Sequence, residues 1–299
     1  MSEKLPYGNT LPYGTTLSTG DTAPEATAVP SKTIAVITGG ARGIGRHLSE
    51  AFAQAGYLVV VTATSAENAE TAAAEILDAT GGAVTGAGLR TDDIDSVKAF
   101  RDVVTGLESE TGRRLQVLIN NAGRIESTEG PLWEADPEAI KGVVDANVLG
   151  VALMVNTFAS VLMEAAEATG RPSRIINLNS GSGAQGTPAY AVYSASKASL
   201  FRLADSVVHF GHDKGLRIFE MAPGVVETAM TKSMPVHDFR TSDDWTSPAQ
   251  VADLALALAS GTLDAFTGRY VRAGADSEES LIAEAATGLS KSSRRLVLG

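Results

Sequence analysis

From Lys32 onward, short β-branched runs alternate with longer Ala-rich stretches of helical period. The runs are Ile34-Ala35-Val36-Ile37, Leu58-Val59-Val60-Val61, Val117-Leu118-Ile119, Arg174-Ile175-Ile176-Asn177-Leu178, Arg217-Ile218-Phe219 and Gly268-Arg269-Tyr270-Val271. Apolar runs without polar alternation suit strands covered on both faces, and the helical stretches between them supply the crossovers of βαβ units. The pattern predicts an α/β protein: one doubly wound domain over residues 31–273, with a parallel sheet of about seven strands flanked by helices on both faces.

The two ends read differently. Residues 1–30 are rich in Thr, Pro, Gly and Ser and carry a short repeat, Leu5-Pro6-Tyr7-Gly8 followed by Leu11-Pro12-Tyr13-Gly14. Such a composition builds no core, so a flexible arm is expected, or one that docks through Tyr7 and Tyr13. Residues 274–299, with an acidic helical piece near 280–286, are expected to be a C-terminal extension on the surface.

Composition narrows the function. At 299 residues and 44% hydrophobic content the chain can bury one large core. A net charge of −11 argues against nucleic acid, whose phosphates demand clustered Lys and Arg. With no cysteine, redox chemistry must come from a cofactor. The N-terminus lacks a basic patch followed by an apolar core, and no apolar run approaches the roughly 20 residues of a membrane helix, so a cytoplasmic protein with no membrane partner is expected.

Thr38-Gly39-Gly40-Ala41-Arg42-Gly43-Ile44-Gly45 follows the first strand and opens a helix marked by Leu48, Ala51, Phe52 and Ala55. Glycines there let backbone N–H groups approach a pyrophosphate at the positive end of that helix, the Rossmann arrangement for a dinucleotide. The second strand ends in Thr62-Ala63-Thr64-Ser65, without the carboxylate that holds the ribose hydroxyls of NAD. Asn120-Asn121-Ala122-Gly123 follows the fourth strand. Tyr193 and Lys197, four apart on a helix, leave the same face and place an ammonium beside a phenol. Opposite charge draws a phenol from its reference pKa near 10 toward neutrality.

Together, TGxxxGxG, NNAG, Asn147, Ser180 and Tyr193-x-x-x-Lys197 resemble the short-chain dehydrogenase/reductase family from about Lys32 to Val271. The resemblance implies a catalytic group of Asn147, Ser180, Tyr193 and Lys197. Ser180 would hold the substrate oxygen, with Ser182 as its local rival; Tyr193 would exchange the proton, Lys197 would lower the phenol pKa and grip the nicotinamide ribose, and Asn147, at a helix irregularity, would hold a relay water. It implies a cofactor site of Gly39, Ala41, Arg42, Gly43, Ile44, Gly45, Thr64, Thr91, Asn121, Ala122, Gly123, Tyr193, Lys197, Pro223, Gly224, Val226 and Thr228. Arg42 paired with Thr64 favours NADP(H) over NAD(H). Arg90 departs from the Asp or Asn usual beside the adenine, leaving the amide of Thr91 for that contact.

The implied function is reduction of a ketone or aldehyde, or oxidation of the matching alcohol, by hydride transfer with NADP(H). Two alternatives remain: an NAD-dependent alcohol dehydrogenase, and an NADP(H)-binding sensor on the same fold, although such sensors commonly lose the Tyr or Lys. Specificity is expected in a lid at about 229–247 carrying Met230, Met234, Pro235, His237, Phe239 and Trp245, with Gln185, Thr187, Pro188 and Tyr190 as another wall. The Met and aromatic content suits an apolar or aromatic substrate, or packing on the protein itself. His209 and His212, without a third ligand in view, are expected to be solvated rather than metal-binding. Leu200, Phe201, Leu203, Val207 and Val208 extend the helix of Tyr193, which in the family often joins a subunit interface, so a homodimer or homotetramer is implied.

Overall fold

The computed structural model describes residues 32–228, 231, 241 and 244–297. Seven parallel strands lie in the order β3-β2-β1-β4-β5-β6-β7: β1 (Thr33–Ile37), β2 (Leu58–Ala63), β3 (Val84–Gly88), β4 (Arg114–Asn120), β5 (Ser173–Leu178), β6 (Leu216–Ala222) and β7 (Tyr270–Arg272). The helices are α1 (Gly43–Gln54), α2 (Ala66–Thr80), α3 (Ile94–Thr111), α4 (Pro137–Val144), α5 (Gly150–Thr169), α6 (Gly181–Gln185), α7 (Ala191–Gly211), α8 (Pro248–Ser260) and α9 (Glu278–Ala286). The strand order reverses between β1 and β4, and the crevice at the carboxyl ends of these strands is where such sheets bind ligands.

Alternate residues of each strand feed two cores. Ala35, Ile37, Val59 and Val61 pack with Leu48 and Phe52 of α1 and Leu254 and Leu258 of α8. Ile34, Val36, Leu118 and Ile175 pack on the other face with Phe100 of α3 and Phe158 of α5. Burial on both faces explains the continuous apolar runs, because neither side of these strands meets water.

One strand is not announced by such a run. β3 reads Val-Thr-Gly-Ala-Gly and is only partly buried. A Cβ on Gly86 would stand 2.4 Å from the Ala69 backbone, so glycine is required for α2 to pack this closely on the strand.

A π-helical turn over Asp145–Leu149 joins α4 to α5, making one helical stretch from Pro137 to Thr169. By length and composition alone this stretch could cross a membrane, with a mean hydropathy of 1.7 over its most apolar window. Its apolar character serves the sheet: Val151, Met154, Phe158 and Leu162 are buried.

The C-terminal extension is packed rather than loose. Leu281 of α9 is fully buried in the α1/α8 core. The Arg294 guanidinium pairs with Asp276 and Glu284 and stands 5.7 Å from the Phe266 ring centroid, and its carbonyl accepts the N–H of Tyr270 at 2.8 Å. The arm at 1–30 lies outside the described residues, as do Met230, Met234, Pro235, His237 and Phe239 of the expected lid.

Candidate active site

The glycine loop is built by close approach. Gly39 and Gly43 have φ of 63° and 55°, a left-handed conformation that glycine adopts freely. A Cβ on Gly45 would fall 2.3 Å from the carbonyl oxygen of Gly39, so α1 meets the turn only because that atom is missing. Above Gly43 the nearest neighbour of such a Cβ would be the Thr228 methyl at 3.9 Å, which brings the loop after β6 over the mouth of α1. Arg42, at the N-cap of α1, makes no side-chain cap, and the first turn has no acidic residue. The N-termini of α2, α3, α8 and α9 are capped by Ser65, Asp93, Ser247 and Ser277. The mouth of α1 thus keeps donors and dipole for an anion, and its room fits the expected pyrophosphate.

Asn121 ties this loop to the next. Its Nδ2 donates to the carbonyls of Thr38 (2.8 Å) and Gly39 (3.2 Å), while Thr38 Oγ1 accepts the N–H groups of Asn121 and Ala122, each at 3.0 Å. Gly123 faces the catalytic side: a Cβ there would lie 3.0 Å from Asn147 Oδ1 and 3.7 Å from Lys197 Nζ. Gly224, with φ of 71°, turns the chain after Pro223 and leaves Val226 buried. Arg42 and Thr64 are both exposed at the ends of neighbouring strands. Among the described residues the Arg42 guanidinium has no ion-pair partner.

Arg90 also points to solvent, 3.7 Å from Asp92, and its N–H donates to Ser96 Oγ at 3.0 Å. Thr91 packs instead on the π-helix junction: a Cβ on Gly150 would come within 2.7 Å of its Oγ1.

Asn147 sits in the π-helical turn and is fully buried. Its Nδ2 donates to the Arg124 carbonyl (2.8 Å) and Ser196 Oγ (2.9 Å), and its Oδ1 accepts the Arg124 N–H at 2.8 Å. The side chain is thereby held by the NNAG loop and by α7 together. π turns inside α-helices often mark functional sites.

Ser180, Tyr193 and Lys197 converge. Ser180 ends β5 and caps α6 through its Oγ, which accepts the Ser182 N–H at 3.2 Å. The Tyr193 hydroxyl has a side-chain hydrogen bond to Ser180. Lys197 Nζ lies 5.7 Å from the Tyr193 ring centroid and donates to the Leu178 carbonyl at 2.5 Å. Burial pushes the Tyr193 phenol up; the Ser180 hydrogen bond pulls it down and the Glu126 carboxylate pushes it up. Burial brings Lys197 down to about 8, against the opposing pull of Glu220.

Two carboxylates give no motif in the sequence. Glu126, in the loop after β4, is buried and accepts the N–H of Val192 at 2.7 Å and that of Tyr193 at 3.2 Å, capping α7 where Tyr190 supplies no side-chain cap. Glu220, on β6, is fully buried beneath Ser180 and Lys197.

Of the expected second wall, Tyr190 is buried and hydrogen-bonded to Glu129, with its phenol pushed to about 12, first by burial. Gln185 and Pro188 are exposed and Thr187 is half-buried, its N–H held by Ser194 Oγ at 3.2 Å. A cavity of about 240 Å³ lies beside the start of α7, lined by Glu126, Glu129, Glu134, Leu132 and Ala191 among others. His209 packs edge-on to Phe210 and His212 faces Asp213. Leu200 and Phe201 are buried, and Val207 and Val208 are partly buried against the α3/α5 core.

A seven-stranded parallel sheet with a glycine-lined, uncapped helix mouth at its reversal point defines the Rossmann-like class of nucleotide-binding folds. The family model for short chain dehydrogenases matches residues 33–238, and the chain belongs to that family. A 3-oxoacyl-acyl-carrier-protein reductase of Synechocystis sp. is 31% identical over 223 residues, 73% of this chain and 85% of that protein. The crystal structure of a Brucella melitensis 3-ketoacyl-acyl-carrier-protein reductase complexed with NADH superimposes with a TM-score of 0.71 at 25% identity, covering 80% of this chain and 96% of the other. A Burkholderia cenocepacia gluconate 5-dehydrogenase in complex with NADP and tartrate gives 0.71 and 25%, covering 82% and 94%. Membership of that family makes this chain an oxidoreductase.

Proposed function

We propose that the protein is an NADP(H)-dependent reductase of a small ketone or aldehyde, with Tyr193 as general acid. The observation that carries the proposal is the convergence of Ser180, Tyr193 and Lys197 at the carboxyl end of β5, one hydroxyl bonded to the other and an ammonium beside the ring.

When bound, the dinucleotide supplies hydride to the carbonyl carbon. Gly39, Ala41, Gly43, Ile44 and Gly45 would hold its pyrophosphate against α1, with Asn121, Ala122 and Gly123 along the adenosine side and Thr91 beside the adenine. Pro223, Gly224, Val226 and Thr228 would flank the nicotinamide. Arg42 and Thr64 would take a 2′-phosphate, a reading supported by the lack of a carboxylate at Ala63 and Thr64 and by the exposed, unpaired guanidinium.

Ser180 holds the substrate oxygen as charge develops on it, and Tyr193 gives that oxygen its proton. Lys197, brought by burial to about 8, is mostly charged at neutral pH, and an ammonium beside the ring would favour the phenolate left behind. Asn147, fixed on three sides in the π turn, would hold with its backbone carbonyl a water in the relay that returns the proton by way of Lys197. Reversal oxidises an alcohol with the same groups.

The test is consumption of NADPH and of NADH across a panel of ketones, aldehydes and quinones. NADPH-dependent turnover supports the proposal, a preference for NADH moves the protein to the NAD-dependent dehydrogenases, and cofactor binding without turnover makes it a sensor.

A further inference from the structure

Beneath Ser180 and Lys197 a row of buried polar side chains crosses three strands. Asn120 of β4 donates from Nδ2 to Asn177 Oδ1 at 2.9 Å; Asn177 of β5 donates from Nδ2 to Glu220 Oε1 at 2.7 Å; and Asn179 donates from Nδ2 to Glu220 Oε2, also at 2.7 Å. Each of these residues is almost or wholly shielded from water. Two amides therefore point their donors at one carboxyl group, and only an ionised carboxylate accepts from both without carrying a donor of its own.

Asn179 is the link to the reacting groups. Its Oδ1 accepts the N–H of Ser180 at 2.7 Å, and its Nδ2 also reaches the Lys197 carbonyl at 3.1 Å. Glu220 fixes which end of the Asn179 amide faces which partner, and so sets the backbone from which Ser180 and Lys197 project. Gly183 seals the arrangement: a Cβ there would stand 2.6 Å from Asn179 Oδ1 and 2.8 Å from Lys197 Cβ.

We propose that Glu220 is a positioning residue for the reaction assigned above, acting through Asn179 on Ser180 and Lys197, and that its ionised form is the one that orders the site. Protonation puts a donor on one carboxyl oxygen, opposite an amide that is itself a donor. Asn177 and Asn120 can absorb it only by both turning over, and Asn120 Oδ1, unpartnered as the row stands, would then accept from Asn177. If Asn179 turns instead, Ser180 loses its acceptor. The charged or titratable groups facing Glu220 are Lys197 and Asp205 of α7 and Tyr270, paired across from it on β7; β5 presents only amides. Burial, partly offset by Asn177, Asn179 and Lys197, lifts the Glu220 carboxyl to about 7, where a proton is gained or lost in the working range.

Because the inference rests on the proposed reduction, the experiment measures kcat against pH for the wild type, Glu220→Gln, Asn179→Ser and Tyr193→Phe, with NADPH and one ketone from the panel. Glu220→Gln imitates the protonated carboxyl. Its kcat should fall on the order of tenfold at pH 8, since small misplacements of reacting groups have large effects, and should meet the wild-type value near pH 6, with the acid limb gone and KM for NADPH unchanged. Asn179→Ser, which leaves the carboxylate but cuts its link to Ser180, should lose the same limb; it decides alone if Glu220→Gln fails to fold. A wild-type acid limb retained in the folded variant, or in Asn179→Ser, overturns the role of Glu220. If instead Tyr193→Phe turns over normally, the proposed reaction itself is lost, a failure distinct from the first.

Discussion

Both carboxylate oxygens of Glu126 stand 3.2 Å from the backbone N–H of Tyr193. Tyr193 is thus seated on a buried carboxylate at the head of its own helix. The same anion pushes the phenol away from ionisation, so Glu126 places Tyr193 well while making it a weaker acid.

Glu126→Gln should separate those effects. Losing the charge lowers the Tyr193 pKa, and the limb of the pH profile that follows the phenol should move to lower pH. Glu126→Ala also strips the cap and should destabilise by about 0.5–2 kcal/mol, the usual range for a lost helix cap. Thermal melts and pH–rate profiles read both, and an unmoved limb in the Gln variant would show that the anion does not reach the phenol.

Tyr193→Phe should remove about 10²–10⁴-fold of the rate, the usual worth of a positioned acid, while NADPH affinity stays within several-fold. Stopped-flow turnover and fluorescence titration measure the two, and unchanged turnover excludes Tyr193 as the acid.

Arg42→Ala should weaken NADPH binding by about tenfold or more, because a charged hydrogen bond to phosphate contributes roughly 1.5–3 kcal/mol, and should leave NADH binding nearly unaltered. Equal losses for both cofactors would mean that Arg42 does not read the 2′-phosphate.

The cavity walled by Glu126, Glu129 and Glu134 predicts preference by charge. A neutral ketone should exceed its 2-oxo acid analogue in kcat/KM by about tenfold, since like charge across a contact discriminates against a ligand. Faster reduction of the acid would place the substrate elsewhere.

Glu220 also predicts a pH dependence of stability. Burial lifts its carboxyl to about 7 in the folded protein, above the 4.5 usual for a free glutamate. The folded state therefore binds the extra proton between those values, and the stability so gained is complete below the lower one and lost as pH rises through the upper. The melting temperature of the wild type relative to Glu220→Gln should fall across that window, whereas kcat rises only around its upper end, where the folded carboxyl ionises. A flat difference would mean that the carboxyl titrates as it does unfolded.

Much of this could be read along the chain because the relevant forces are local. The strands of the inner sheet are apolar on both faces, so Ile34–Ile37 and Leu58–Val61 declare themselves, and the α1 mouth needs glycines in one short run. The irregularity expected at Asn147 is the π turn over Asp145–Leu149. β3 stayed hidden because Gly86 answers to a neighbouring backbone rather than to strand propensity. Glu126 and Glu220 stayed hidden for a different reason: their partners lie 66 and 41–43 residues away, and a lone Glu looks the same on a wet surface as in the buried polar row behind Ser180. The C-terminal segment looked like surface because its anchor is one fully buried leucine and one arginine among polar residues.

The Tyr270 N–H given to the carbonyl of Arg294 reaches beyond the C-terminal segment itself. Tyr270 on that rim is occupied by Arg294 and Arg272 by the turn at Ala275 and Asp276, so the rim offers a sister subunit little free backbone for prolonging the pleated layer. A symmetric assembly on that side would rest on side chains fitting against side chains.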